Sequence, residues 1–215
     1  HNGASFINSA EFFATRTTRR ILTSWGTDVG YTKCGVRGEF VVQCKEPEDV
    51  ETYHSFAYDS LDKASLTALA ETALSQVSDR AAAQKSLASG RYDLILSGDN
   101  LAKVLDYYVS RTQVGMVYPG YSTWKVGSNV QEHMDGGERL NMTLHATVPF
   151  SVDGIPMSDR KLLEDGKVCV VHGGVRLSAY LGVPPTGEYA AFCCENGTKP
   201  FAALKEKPYL YPVCF

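Results

Sequence analysis

The feature that most limits the fold of this chain is a change in hydrophobic period near residue 60. Before that point, β-branched and aromatic residues dominate segments such as 17–25 and 53–58, a composition typical of strands. After it, apolar residues recur every third or fourth position between Leu66 and Val77, which indicates one buried face of a helix. The sequence therefore predicts an α+β fold with antiparallel, β-rich sheets.

In the first part of the chain we expect a strand meander. The strand at 17–25 ends at a glycine-containing turn, and strands 29–32 and 39–44 are expected to pair across a turn at Gly35–Gly38, since glycine favours turns. An acidic break then leads to the aromatic strand at 53–58.

Two principal helices are predicted, at about residues 62–88 and 99–111. Three residues before the first helix can cap its N-terminus: Asp59, Ser60 and Asp62. A buried strand at 92–96 precedes the second helix. Between this strand and the second helix lies Ser97-Gly98-Asp99. It is suited to helix capping rather than to binding phosphate, because the glycine spacing of a phosphate loop is missing.

Irregular chain and short strands are expected after the second helix. Segment 115–137 is rich in Gly, Tyr and Ser, and the Asp165-Gly166 pair predicts a hairpin with a return strand at 168–172. We expect two regions overall. Residues 1–90 form the meander with its amphipathic helix, and residues 91–215 form a β-rich, C-terminal-type region that is truncated.

Charge and composition argue against several classes of protein. A net charge of −3 and a pI of about 6.0 do not suit a nucleic-acid ligand, and the cluster Arg16, Arg19 and Arg20 is typical of a solvated strand face. No apolar run approaches the roughly 18–20 residues that span a bilayer, and no export signal is visible. The sequence therefore favours a cytoplasmic protein whose six cysteines are reduced thiols.

No residue pattern identifies a catalytic, cofactor-binding or metal site, so none is predicted from the residues alone. One arrangement stays open, a metal site assembled in space from His133, His145, His172 and Cys194, although no local spacing supports it. Cys193 and Cys194 are neighbours that point to opposite faces of a strand, which favours structural thiols. An acidic turn is expected to be solvated, and its residues are Glu46, Glu48, Asp49 and Glu51.

Four motifs occur in a specific order along the chain. They are the Gly-x-Tyr-Asp strand at 90–97, the Asp-Gly-Ile-Pro turn at 150–156, the Glu-Asp-Gly hairpin at 163–168 and the Thr-Gly at 185–187. Together with the preceding meander and helix, this succession resembles the TldD/PmbA (TldE) family, whose members are also catalogued as candidate modulators of DNA gyrase. The resemblance runs from about residue 15 to about residue 190.

The resemblance implies a metal-dependent peptidase system that trims or degrades peptides. In that family the TldD-type subunit carries a His-Glu-x-x-x-His helix, whereas the PmbA-type subunit lacks it and pairs with TldD. The corresponding helix here, residues 100–111, contains neither His nor Glu, and Tyr107 and Tyr108 are poor substitutes for a zinc ligand or a base. The chain therefore resembles the PmbA-type subunit, with no cofactor of its own. Because family members extend beyond both ends of this region, we expect a segment of a longer protein.

Three functional hypotheses follow from this resemblance. The first is a non-catalytic or diverged subunit that acts on a peptide substrate, has a TldD-like subunit or a second copy as its partner, and forms a groove with segment 115–125. The second is an active peptidase with the atypical metal site described above. The third is a structural or binding module without peptidase activity. No hypothesis includes nucleic acid or a membrane as a partner.

Overall fold

The computed structural model describes residues 4–60, 62–83, 88–132, 137–206 and 210. The chain divides into two compact units. Unit 1 consists of residues 1–18 and 32–91, and unit 2 consists of residues 19–31 and 92–215. Antiparallel sheets combine with helices, so the predicted α+β class is confirmed.

A three-stranded sheet begins the fold. Its strands are β1 (Ser5–Leu22), β2 (Asp28–Cys44) and β3 (Val50–Tyr58), and their order in the sheet is β1-β2-β3. Strands β2 and β3 are antiparallel, with a register that runs from Val36 opposite Tyr58 to Cys44 opposite Val50.

Helix α1 (Lys63–Ala81) packs against the sheet in unit 1. Asp62 caps its N-terminus, since the Asp62 carboxylate accepts hydrogen bonds from the Ser65 backbone N–H at 2.9 Å and from its hydroxyl at 2.7 Å. The predicted end near residue 88 is wrong, because α1 ends at Ala81 and the exposed residues 82 and 83 are not helical, while residues 84–87 lie outside the described residues. A helix that loses its packed face has little support from propensity alone. The core of unit 1 consists of Phe40, Val42, Cys44, Phe56, Ala73, Val77 and Ala81.

The turn predicted at Gly35–Gly38 is wrong, because β2 runs through it without interruption. Gly38 serves close packing instead. A Cβ atom there would lie 2.6 Å from the Phe56 ring and 2.8 Å from the Glu11 carbonyl oxygen. Glycine in this strand therefore admits a neighbouring ring and backbone rather than reversing the chain.

In the rest of the described chain there are a second sheet and four helices. The strands β4 (Met142–His145), β5 (Arg160–Glu164), β6 (Lys167–Val168) and β7 (Ala191–Cys194) lie in the order β6-β5-β4-β7. The helices are α2 (Gly98–Arg111), α3 (Val114–Val117), α4 (Val175–Leu181) and α5 (Phe201–Leu204). Helix α2 confirms the helix predicted at 99–111. The core of unit 2 contains Val109, Met142, Leu144, Leu162, Leu163, Val168 and Tyr189.

The hairpin predicted at Asp165-Gly166 is confirmed. Both residues have positive φ, 48° and 68°, as the tight turn between two antiparallel strands requires. The return strand predicted at 168–172 is shorter than expected, since β6 ends at Val168 and His172 makes only an isolated bridge to Gln113.

The strand predicted at 92–96 is wrong. Tyr92 and Leu94 are about half exposed, Ile95 is buried, and a single bridge joins Leu94 to Leu210. Among the residues that the structure describes, this bridge is not continued into a ladder, so the apolar run forms extended chain and not a sheet strand.

Candidate functional site

Two adjoining hollows in unit 2 form a cleft, which is the candidate site. The hollows have volumes of about 280 and 360 Å³, comparable with sites that hold small ligands. Five residues line both of them: Gln113, Val152, Asp153, Gly174 and Glu188. These residues come from the end of α2, the 151–156 turn, the start of α4 and the Thr-Gly loop, so the cleft exists only in the folded unit.

His172 lies at the wall of the smaller hollow and is fully buried. Its Nε2 atom is 3.1 Å from the Val109 carbonyl oxygen, and its ring meets Tyr189 edge-on at 5.9 Å between centroids. Burial lowers the pKa of His172, and the bond to Val109 only partly opposes this effect. The ring is therefore neutral at pH 7, with Nε2–H as donor. Its Nδ1 atom has no hydrogen-bond partner among the residues that the structure describes.

The backbone of Gly173 is held between two segments. The Gly173 N–H donates to the Thr186 hydroxyl at 3.1 Å, and the Gly173 carbonyl accepts from the N–H groups of Thr186 and Gly187, both at 3.1 Å. A Cβ atom on Gly173 would overlap with the Val114 side chain. The Thr-Gly motif of the sequence therefore positions the loop that forms one wall of the cleft.

Asp153 connects the 151–156 turn to helix α4. Its carboxylate accepts from the Val175 N–H at 3.0 Å, at the first residue of α4. The Ser151 hydroxyl oxygen supports the same turn, because it accepts from the N–H groups of Asp153 and Ile155, both at 3.2 Å. The Asp-Gly-Ile-Pro motif thus holds a carboxylate at the centre of the cleft.

Charges of both signs surround the cleft. Asp153 and Glu188 lie where the two hollows meet, while Arg19 lines the larger hollow and Arg176 the smaller one. This combination of acidic and basic groups suits a ligand that itself carries both charges.

The atypical metal site left open by the sequence is not formed by its described members. Among the described ranges no group of three His, Cys, Asp or Glu side chains lies close enough to hold a metal ion. His145 pairs with Asp159 at 2.7 Å, His172 lies by the cleft, and Cys194 pairs with Met142 across the sheet. His133 lies outside the described residues.

Among the described cysteines, Cys169 and Cys194 have the properties of structural thiols. The five described by the structure are free, and Cys214 lies outside the described residues. Cys193 is exposed whereas Cys194 packs towards the core of unit 2, so the two side chains have opposite faces as expected. Burial raises the pKa of the Cys194 thiol and also that of Cys169, which disfavours the reactive thiolate.

Other sequence candidates occupy ordinary positions. Ser97 is the N-cap residue of α2, although its side chain makes no capping hydrogen bond. The arginine cluster at 16–20 is exposed, and the acidic turn at 46–51 is largely so. In the groove segment expected at 115–125, only Gly115 lines the cleft.

Sequence reasoning missed Gln113 and Glu188 as cleft residues. Neither belongs to a local motif, and only the fold brings them beside Asp153. The available signal was indirect, because the Asp-Gly-Ile-Pro and Thr-Gly motifs flank the cleft on both sides.

Fold and cleft together define an α+β protein of the TldD/PmbA-family fold. The solved structures that share it include a candidate modulator of DNA gyrase from Thermotoga maritima, with a TM-score of 0.76, 15% identity and coverage of 91% of this chain and 48% of that one. They also include TldE from Thermococcus kodakarensis, with a TM-score of 0.74, 14% identity and coverage of 94% and 50%.

A third structure, a candidate modulator of DNA gyrase from Bacteroides thetaiotaomicron, has a TM-score of 0.70, 16% identity and coverage of 87% of this chain and 44% of that one. This chain thus spans about half the length of the structures it matches. No family model and no curated protein matches it. None of the helices in the described ranges is long and apolar enough to cross a membrane.

Proposed function

We propose that this chain is a non-catalytic or diverged subunit of a TldD/PmbA-type metallopeptidase system that acts on peptides. The observation that carries the proposal is the composition of α2, the helix that follows the Gly-x-Tyr-Asp segment in this fold. Over Gly98–Arg111 it contains no His and no Glu. Zinc hydrolysis requires neutral imidazole ligands and a carboxylate base, so the donor set of α2 does not fit a catalytic zinc ion.

The fold shared with TldE supports the assignment to the subunit type without the zinc helix. On this proposal a TldD-like subunit supplies the metal and the catalytic groups, and this chain contributes binding surface. The five free thiols support a reducing, cytoplasmic location.

The cleft of unit 2 is the surface proposed to bind the peptide. Asp153 and Glu188 are placed to accept from an amino group or a basic side chain, and Arg19 and Arg176 to bind carboxylates. An extended peptide could place groups of both signs along the two hollows, which adjoin each other.

Co-purification tests the proposal directly. This chain is expressed with and without a TldD-type subunit from the same genome, and each preparation is assayed for bound zinc and for cleavage of a casein peptide digest. We expect zinc and cleavage only in the complex. Stoichiometric zinc in this chain alone, cleavage by this chain alone, or failure of the two subunits to associate would contradict the proposal.

A charge reversal tests the role of the cleft within that complex. Glu188→Lys is expected to raise the KM for peptides with a free amino terminus about tenfold, because it removes a carboxylate acceptor. Glu48→Lys makes the same charge change at an exposed position in the acidic turn of unit 1 and is expected to leave KM unchanged. Equal values of KM for the two variants would show that the cleft does not bind the peptide.

A further inference from the structure

The larger hollow of the cleft has one wall that is mostly apolar. Four apolar side chains from segment 148–157 line it: Val148, Phe150, Val152 and Met157. Phe150 and Met157 are partly buried and Val152 is 65% exposed, so part of this apolar surface is in contact with water. Covering such surface is favourable, because it removes apolar atoms from water. The hollow, with a volume of about 360 Å³, therefore suits a large apolar group.

Hydrogen bonds fix the conformation of this apolar wall. The Ser151 N–H donates to the Ile155 carbonyl at 2.9 Å. The Met157 N–H donates to the Pro149 carbonyl, also at 2.9 Å. A wall that is already ordered loses little conformational entropy when a ligand binds, so more of the contact energy contributes to affinity.

The facing wall of the larger hollow is held in the same way. The Tyr189 hydroxyl donates to the Ser158 carbonyl at 2.7 Å and accepts from the Arg160 Nε–H at 3.1 Å. Gly187, in the same wall, has a φ of +81°, and a Cβ atom there would lie 2.9 Å from the Ser151 Cβ atom. The glycine therefore allows the Thr-Gly loop to contact the apolar wall, and the hollow lies between two fixed segments.

Two carboxylates lie where the larger hollow meets the smaller one. Among the described residues, Asp153 accepts only from the Val175 N–H, at its Oδ2 atom. Glu188 forms neither a hydrogen bond nor an ion pair within the same part of the chain. Arg19 and Arg176 line one hollow each, so the position shared by both hollows is acidic. An ammonium group suits this position, because it is positively charged and has three N–H donors.

We propose, on the basis of the proposed function, that the cleft selects the amino-terminal residue of its peptide. The free ammonium group binds between Asp153 and Glu188, and a large apolar side chain of the same residue fills the larger hollow. Only the first residue of a peptide carries an ammonium group and a side chain on one Cα atom, which matches carboxylates placed beside an apolar wall. The following residues pass through the smaller hollow, where Gln113 and Arg176 can donate to their carbonyl groups. The substrate class is peptides with a free amino terminus and a first residue such as Phe, Leu or Met.

Calorimetric titration of the chain of 215 residues with four tetrapeptides tests this selection. Phe-Ala-Ala-Ala is compared with Ala-Ala-Ala-Ala, with Ala-Phe-Ala-Ala and with acetyl-Phe-Ala-Ala-Ala. We expect Phe-Ala-Ala-Ala to bind about tenfold more tightly than each of the others, because it alone buries an apolar first side chain and also supplies an ammonium group. Equal affinity for Phe-Ala-Ala-Ala and any one of the other three peptides would overturn the proposal, and so would a failure of all four to bind.

Variants of the larger hollow test where the side chain binds. Ala190→Phe fills the hollow from an exposed position in its wall and is expected to remove the preference for Phe-Ala-Ala-Ala over Ala-Ala-Ala-Ala. Ala179→Phe makes the same change at an exposed position of α4 that lines neither hollow, and it should keep the preference.

Val152→Ser provides a second test that does not add volume to the hollow. It removes apolar surface at an exposed position of the wall and should lower the preference about threefold. Melting temperatures show that each variant is folded. A preference that stays tenfold in folded Ala190→Phe, or in Val152→Ser, would overturn binding of the side chain in the larger hollow.

Glu188→Gln tests the position of the ammonium group. We expect it to weaken binding of Phe-Ala-Ala-Ala about threefold to tenfold and to leave binding of acetyl-Phe-Ala-Ala-Ala unchanged, since the acetylated peptide has no ammonium group to lose a partner. Glu48→Gln, at an exposed position of the acidic turn, should change neither affinity. Equal losses for the two peptides in Glu188→Gln would overturn the assignment.

These titrations use this chain without zinc and without a TldD-type subunit. A chain that binds peptides without selecting the first residue would therefore overturn this inference alone. The zinc and cleavage assays of the complex decide the proposed function separately.

Discussion

At the scale of single residues, the cleft depends on the close approach of Gly173 to Val114. Gly173→Ala would place a Cβ atom in steric overlap with a Val114 methyl group, so one of the two segments must move. We expect the free energy of unfolding to fall by about 1–3 kcal/mol, as for other overpacked positions.

Urea denaturation measures this effect, with Gly115→Ala as the matched control. Gly115 also lines the cleft, but nothing lies within 4 Å of its added Cβ atom. Its substitution should leave stability unchanged or slightly raised, since alanine reduces the entropy of the unfolded chain. Equal losses at the two positions would show that the contact with Val114 does not matter.

The buried ring of His172 makes stability depend on pH. Because burial lowers the pKa of His172 in the folded state, the unfolded chain takes up a proton at a higher pH than the folded chain does. Neither state is protonated well above pH 6.5, so the effect begins as pH falls through the unfolded value of about 6.5. Stability is then lost by at most about 1.4 kcal/mol for each pH unit.

Urea unfolding between pH 7.5 and 5 tests this prediction. His172→Gln should show a smaller loss of stability over that range than the natural chain, because it removes one of the groups whose pKa is lower in the folded state than in the unfolded state. The pKa of His54 is also lowered by burial, so part of the loss should remain in the variant. An unchanged slope in His172→Gln would contradict the prediction.

At the scale of elements, Asp153 acts as a remote cap for α4. The N-cap residue of this helix is Gly174, which has no side chain, and the Asp153 carboxylate occupies the place of a capping group. We expect Asp153→Ala to lower the free energy of unfolding by about 1 kcal/mol, the usual cost of losing an N-cap.

Glu188→Ala is the matched control, since it removes a second carboxylate from the same cleft. Within the described ranges no side chain or backbone group donates a hydrogen bond to the Glu188 carboxylate, so the expected change in stability is within about 0.5 kcal/mol. Thermal or urea unfolding measures the change in stability of both variants. A loss of stability in Glu188→Ala as large as that in Asp153→Ala would contradict the capping role of Asp153.

Elements whose turns or periods are local could be predicted from the sequence. The Asp165-Gly166 hairpin and the helix at 98–111 depend on residues within one or two turns of each other. Elements that depend on residues far away in the sequence could not be predicted in this way. The pattern of glycines in β2 predicts a turn, whereas the structure has a continuous strand, because the Phe56 ring that fills the space above Gly38 comes from another strand.

At the scale of the whole molecule, the order of short motifs indicated the family fold, yet it did not locate the cleft. The motifs form turns or fix the conformation of short loops. Each depends on residues that are close together in the sequence. Gln113, Asp153 and Glu188 are far apart in sequence, and they line one cleft only because the fold of unit 2 brings them together. The spacing of residues along the sequence therefore does not predict which of them line the cleft.

The two units have separate cores, which predicts that core damage stays in the unit where it occurs. Leu144 is fully buried in unit 2 and Phe40 is buried in unit 1. We expect Leu144→Ala to lower the free energy of unfolding by about 2–5 kcal/mol and Phe40→Ala to lower it by about 3–5 kcal/mol.

Hydrogen exchange followed by mass spectrometry should show faster exchange in α2 and β4 for the first variant, and in β3 and α1 for the second. The two variants serve as controls for each other. If each unit is its own cooperative region, a variant in one unit should not speed hydrogen exchange in the other. Faster exchange throughout both units in either variant would mean that the chain unfolds as one cooperative body.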